Sequence, residues 1–173
     1  MKKIVFSVIL IIIVIFGCKT LSTDTKKLQL AFEAKSNSNV SGTATFIEDK
    51  GKVTFEAKLT GLQPGVHAIH IHEKSDCSAA DGSSAGGHWN PTFKKHGKWA
   101  EGEYHKGDIG NFTADENGNG TITLTTDEWC IGCEDPTKDV TGKSLIVHKD
   151  KDDFVSQPTG NSGARIACSA IIK

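Results

Sequence analysis

From Leu28 onward, apolar residues recur at every second position and no stretch repeats them at helical spacing, which restricts the chain to an all-β fold. Leu28, Leu30, Phe32 and Ala34 fall on one face, and Val40, Ala44 and Phe46 continue the pattern beyond a turn at Ser36 to Asn39. Asp49-Lys50-Gly51 reads as a hairpin leading into Val53, Phe55, Ala57 and Leu59. A turn at Gly61 to Gly65 precedes the strand Val66 to His72, and strand character returns at Asp108 to Thr113, Thr121 to Thr125, Ser144 to His148 and Arg165 to Ile172. The expectation is about eight strands in one sandwich or barrel.

Periodicity is lost over three long stretches, Glu73 to Lys106, Thr126 to Gly142 and Lys149 to Gly163. Loops of such length inside a compact β domain usually carry function. Six of the seven histidines lie in them or at the strand ends that border them.

The first 17 residues stand apart: Lys2 and Lys3 precede an unbroken apolar run from Ile4 to Phe16, with signal-peptide proportions. Gly17-Cys18 closes this run and resembles the bacterial lipobox, in which the cysteine is lipidated after cleavage; an ordinary secretory signal is the alternative. The expected organisation is a leader over residues 1–17, a flexible tether over 18–27 and one domain over 28–173. Lys2 and Lys3 leave with the leader, so 18 basic residues face 21 acidic ones, a net charge of minus 3 that offers nucleic acid no footprint. If Cys18 carries lipid, Cys77, Cys130, Cys133 and Cys168 remain, and spacing alone leaves all three pairings open.

His70-Ile71-His72 places two imidazoles on one face of a strand, a metal-binding geometry. Imidazole and carboxylate without thiolate suit zinc, copper, nickel or iron. His88, His96, His105 and Asp108 form a plausible tetrahedral zinc set within one loop, while His70, His72 and His148 form a second group with room for a redox metal such as copper. His67 has the opposite strand parity and reads as a residue that packs behind the ligands.

The runs Gly65-Val66-His67-Ala68-Ile69-His70-Ile71-His72-Glu73, Gly87-His88-Trp89-Asn90-Pro91, Lys95-His96-Gly97, His105-Lys106-Gly107-Asp108-Ile109-Gly110-Asn111, Leu145-Ile146-Val147-His148 and Gly160 to Cys168 closely resemble the copper-zinc superoxide dismutase family. The resemblance extends from Leu28 to Ile172 and implies an eight-stranded, immunoglobulin-like Greek-key β-barrel or sandwich with long metal-binding loops. It implies copper on His70, His72, His88 and His148, and zinc on His88, His96, His105 and Asp108, with His88 shared as a bridging imidazolate. The implied activity is conversion of superoxide to dioxygen and hydrogen peroxide by copper cycling between its two oxidation states.

The same resemblance implies the supporting roles. Arg165, the only arginine in the chain, matches the arginine that guides the anion to copper, with Lys149 and Lys151 as candidate contributors to the local field. Asp152 matches a carboxylate that hydrogen-bonds one copper ligand and one zinc ligand, here His70 and His96, and Thr159 matches the residue that narrows the channel opposite the arginine. Cys77 and Cys168 match an intrasubunit disulfide. The family includes dimers and monomers, so a homodimer is among the expected assemblies.

Trp129-Cys130-Ile131-Gly132-Cys133 departs from the family pattern. No βαβ unit surrounds it, so a local disulfide between Cys130 and Cys133 is favoured over an oxidoreductase or metal-relay motif. Two functional classes follow: a superoxide dismutase of the cell envelope, lipid-anchored and facing the periplasm or exterior, or an envelope lipoprotein that only binds or relays copper and zinc. A complete ligand set together with Arg165 and Asp152 favours the enzyme, since a storage protein needs no anion guide.

Overall fold

A computed structural model describes residues 25–173. Cys18 and the leader lie outside the described residues, as does most of the expected tether. Nine strands follow in order: β1 (Lys26–Ala31), β2 (Glu33–Ala34), β3 (Ser41–Asp49), β4 (Lys52–Thr60), β5 (Gly65–His72), β6 (Gly110–Ala114), β7 (Gly120–Thr126), β8 (Lys143–His148) and β9 (Arg165–Ile171). A single 3-10 turn, Ser83–Ala85, interrupts the loop after β5.

The strand order β1-β3-β4-β7-β6-β5-β8-β9-β2 explains why nine segments appear where the alternation suggests eight. One continuous stretch is divided at Phe32: β1 pairs antiparallel with β3, then β2 crosses over to pair with β9. The first strand therefore joins both ends of the sheet and nearly closes it into a Greek-key barrel, removing the open edges that would invite aggregation. Lys26 and Lys27 belong to β1 rather than to the tether, because their backbones pair with Glu48 and Ile47.

Inside the barrel, Phe46 and Phe55 meet with ring centroids 5.0 Å apart, and Trp129 packs against both. Val53, Ile69, Ile71, Leu145, Val147 and Ile171 complete the fully buried wall. Each such side chain contributes about 1.5 to 3 kcal/mol by leaving water. Trp129 also satisfies its indole by donating Nε1–H to the Lys106 carbonyl at 2.9 Å, which ties the loop after β7 to the long loop after β5.

Strand β5 explains how a sheet presents a metal site. Ile69 and Ile71 belong to the barrel core, so His70 and His72 occupy the opposite face, yet both are fully buried there because the long loop folds back over them. Three backbone bonds stitch that loop to the strand end: Ile71 N–H to Gly107, Trp89 N–H to Ile71 and Gly107 N–H to Trp89, at 2.9, 2.8 and 3.0 Å. The stitching sets His88 beside His72 as an isolated antiparallel bridge.

Candidate metal centre

Two groups of side chains converge above β5 and β8. His70, His72, His88 and His148 form one, and His88, His96, His105 and Asp108 the other; within each group the donor atoms lie within 4.8 Å of one another, and all seven residues are buried. His88 is common to both.

Five of the imidazoles share one arrangement, in which one ring nitrogen is pinned to an oxygen and the other faces the cluster. His70 Nε2–H donates to Asp152 Oδ2 at 2.9 Å, His72 Nδ1–H to the Gly86 carbonyl at 3.0 Å, and His148 Nδ1–H to the Gly163 carbonyl at 3.4 Å. His96 Nε2–H donates to Asp152 Oδ1 at 2.9 Å and His105 Nε2–H to the Lys94 carbonyl at 3.1 Å. The nitrogens left over, together with His88 Nε2, are buried without a hydrogen-bond partner. Buried polar atoms are costly to leave unpaired, and six gathered together are what a cation would satisfy.

The carboxylate of Asp108 supports the same conclusion. Its Oδ2 lies 3.0 Å from His96 Nδ1 and its Oδ1 lies 3.3 Å from His105 Nδ1, while Oδ1 is 2.8 Å from His88 Nδ1. His96 Nδ1 has no hydrogen bond despite that separation, the relation expected of two ligands to a common ion. The tetrahedral set of three nitrogens and one carboxylate fits zinc, and the four-nitrogen set fits copper. The carboxylate is aimed by backbone: Oδ2 accepts the N–H groups of His105 and Gly97 at 2.8 and 3.1 Å. Asp108 therefore sits in a turn ahead of β6, rather than in the strand that alternation suggests.

Electrostatics divide the cluster. Burial, then repulsion from neighbouring His70, pushes His88 down to about 3, so its imidazole is neutral and available as a donor. Burial likewise depresses His72 and His148 far below the usual histidine range, with the nearby Arg165 charge adding to the effect. Burial opposes ionisation of Asp108 and Asp152, but hydrogen bonds from the histidines outweigh it and hold both carboxyls well below the usual carboxylate range.

Asp152 spans the two groups, and residues to which the sequence alone gave no role of their own hold it in place. Asn111 accepts the Asp152 N–H at 2.8 Å and donates to its carbonyl at 2.9 Å, a two-point clamp reaching from β6. Gly160 has φ +68°, and any side chain there would overlap Asp152 Oδ1 and His96 Nε2. Gln157 brackets His96, accepting its N–H and donating to its carbonyl, each at 2.9 Å. Asn111 ends one of the runs that carry the family resemblance, which was the signal available for it; Gln157 carries no sequence signal.

Arg165 begins β9 and is half-buried; Nη1–H and Nη2–H donate to the Gly82 and Gly86 carbonyls, each at 2.8 Å. Thr159 is half-buried in the turn before β9, its carbonyl accepting the Ser162 hydroxyl at 3.2 Å. Lys149 and Lys151 are exposed, and Lys149 lines a surface cleft with His67 and Ile166. His67 does not join the cluster; its ring lies between the Gln63 and His148 carbonyls at 2.8 and 3.0 Å, bracing the backbone behind His148. Cys77 and Cys168 form a disulfide, and so do Cys130 and Cys133.

Residues 40–171 match the family described as Copper/zinc superoxide dismutase (SODC). The chain is 35% identical over 142 residues to Superoxide dismutase [Cu-Zn] 2 of Mesembryanthemum crystallinum, covering 78% of this chain and 88% of that protein. It is also 35% identical over 144 residues to the Extracellular superoxide dismutase [Cu-Zn] of Brugia pahangi, covering 78% of this chain and 70% of that protein. With the barrel, the converging donors and these relatives in agreement, the chain belongs to the copper/zinc superoxide dismutase family.

Proposed function

We propose that the chain dismutates superoxide at this centre, with His70, His72, His88 and His148 holding copper and His88, His96, His105 and Asp108 holding zinc. The observation that carries the reading is the shared imidazole: His88 offers a donor to each of two buried groups. Two superoxide anions and two protons give one dioxygen and one hydrogen peroxide. Copper held by His70, His72, His88 and His148 would supply the one-electron couple for both halves of the reaction, and zinc held by the other group would supply a fixed positive charge.

The chain supplies the rest. His88 Nε2 is the atom at which a proton is taken up and handed on, since Nδ1 is committed to the Asp108 side. Asp152 fixes His70 and His96 through their Nε2–H groups. The net charge of minus 3 after leader removal repels anions, so attraction must come from a local field. Arg165 supplies it: its carbonyl contacts hold the charge near His72, and the family resemblance gives Thr159 the role of narrowing the approach.

Two disulfides suit an oxidising compartment, and a leader ending in Gly17-Cys18 suits cleavage and lipidation of Cys18. The domain is then tethered to the cell envelope, facing the periplasm or exterior. Among the described residues no helix is long and apolar enough to cross a membrane. Metal analysis paired with a dismutation assay tests the activity: copper- and zinc-replete protein without dismutation would overturn it. Arg165→Glu should lower the rate while both metals stay bound.

A further inference from the structure

The Cys130–Cys133 disulfide lies outside the metal centre, on the loop between β7 and β8, with Cys130 buried and Cys133 half-exposed. Hydrogen bonds hold this loop alongside the disulfide. Cys130 N–H donates to the Lys138 carbonyl at 2.9 Å, and the Cys130 carbonyl accepts Val140 N–H at 3.1 Å. Ile131 N–H donates to Glu48 Oε2 and Gly132 N–H to Asp139 Oδ1, each at 2.8 Å. A separation of three residues also constrains the unfolded chain far less than the 91 residues between Cys77 and Cys168. As a staple the bond adds little to a loop already held by these hydrogen bonds, which leaves room for another use of the two cysteines.

Charges of both signs surround the turn, and Cys133 Sγ lies 3.6 Å from the Asp135 carbonyl. Lys173 Nζ lies so close over Gly132 that any side chain there would collide with it, and Gly132 itself turns at φ +61°. Lys26 Nζ donates to the Ile131 carbonyl at 2.9 Å. Of the nearby carboxylates, Glu48 is engaged by Lys26 and the Ile131 amide, and Asp139 by the Gly132 amide and Thr141, while Glu134 and Asp135 stand in solvent. Lys26 is neutralised by Glu48, which leaves the Lys173 ammonium over the turn, and a cation beside a Cys-x-x-Cys turn lowers the cost of opening its disulfide.

We propose that Cys130 and Cys133 form a reversible dithiol–disulfide site that exchanges electrons with an external dithiol, separate from the copper and zinc centre. One thiolate of the donor attacks Cys133 Sγ, the more accessible sulfur; the bond to Cys130 breaks and Cys130 leaves as a thiolate. The donor's second thiolate then attacks the donor sulfur of the mixed disulfide, releasing Cys133 and the oxidised donor. Two electrons pass to the pair, and the two protons lost by the donor end on Cys130 and Cys133. None of this depends on dismutation.

The test equilibrates the copper- and zinc-loaded protein in buffers of reduced and oxidised dithiothreitol, traps free thiols by alkylation and maps them by peptide mass spectrometry. Cys130 and Cys133 should be labelled together at a reduced-to-oxidised ratio about tenfold or more below the one that opens Cys77–Cys168, with both metals retained, and should close again on back-titration. Opening of both pairs together, or none before the fold is lost, overturns the proposal. The double variant Cys130→Ser, Cys133→Ser should fold, dismutate normally and lose the early labelling. Its failure to fold would make the bond structural and equally overturn the assignment.

Discussion

His72 and Arg165 hang from the same oxygen: the Gly86 carbonyl accepts His72 Nδ1–H at 3.0 Å and Arg165 Nη2–H at 2.8 Å. The second guanidinium arm holds Gly82, so the fork grips both ends of the Ser83–Ala85 turn. Moving the guanidinium therefore disturbs the His72 imidazole, and on the proposed function also the field around the copper ligands.

Arg165→Lys keeps the charge and loses the fork. A single ammonium cannot reach both carbonyls with fixed planar geometry, so kcat/KM should fall by about threefold to tenfold with copper retained. Arg165→Ala should lose more, on the order of ten- to a hundredfold, and lose the decline of rate with ionic strength. A wild-type rate for Arg165→Lys would show that charge alone matters.

Asp152→Asn tests the carboxylate between the two groups. Both its oxygens accept from ring N–H groups at 2.9 Å, and an amide can offer only one acceptor while turning a donor toward the other ring. Metal retention should weaken by about 10- to 100-fold, read by chelator competition for copper and zinc separately. Gly160→Ala should act in the same direction, because its methyl group would overlap Asp152 and His96. Unchanged affinity in both variants would remove Asp152 from the centre's support.

The barrel was legible because alternation reports burial on one face, and Leu28 to Leu59 keep that pattern cleanly. It could not show that one stretch would divide at Phe32 to serve both ends of the sheet, since pairing partners are set by distant strands. The donor residues were legible as types and spacings, and His67 was separable from His70 by parity alone. What spacing could not reach were the clamps: Asn111 and Gln157 act through backbone atoms of Asp152 and His96, which lie 41 and 61 residues away. Nor could it reach the Gly86 carbonyl, an acceptor that every residue type possesses.

The two disulfides should separate in stability. Replacing Cys77 and Cys168 by serine frees a span of 91 residues and should cost about 4 to 5 kcal/mol by chain entropy. The corresponding change at Cys130 and Cys133 frees a span of three and should cost about 2 kcal/mol or less. Denaturant unfolding of the two metal-free variants side by side reads the difference. Equal losses would mean that strain or residual unfolded structure, and not loop length, governs both bonds.

Tyr104 offers a direct optical probe of the loop that carries His105 and Asp108, because it is the only tyrosine in the chain. Its hydroxyl donates to Glu128 Oε1 at 2.6 Å, and Glu128 also pairs with Lys106, beside the Trp129 bond to the Lys106 carbonyl. Burial, then the Glu128 carboxylate, raises the phenol to about 12. The folded state therefore favours the neutral phenol: the contribution is complete below about pH 10, the unfolded value, and is lost as pH rises through about 12. Tyrosinate absorbance should show one transition near pH 12 in the folded protein, moving down toward 10 in Glu128→Gln. A wild-type midpoint near 10 would mean that the Tyr104–Glu128 bond is not held in solution, and with it would go the anchoring of the His105 to Asp108 turn to the barrel loop.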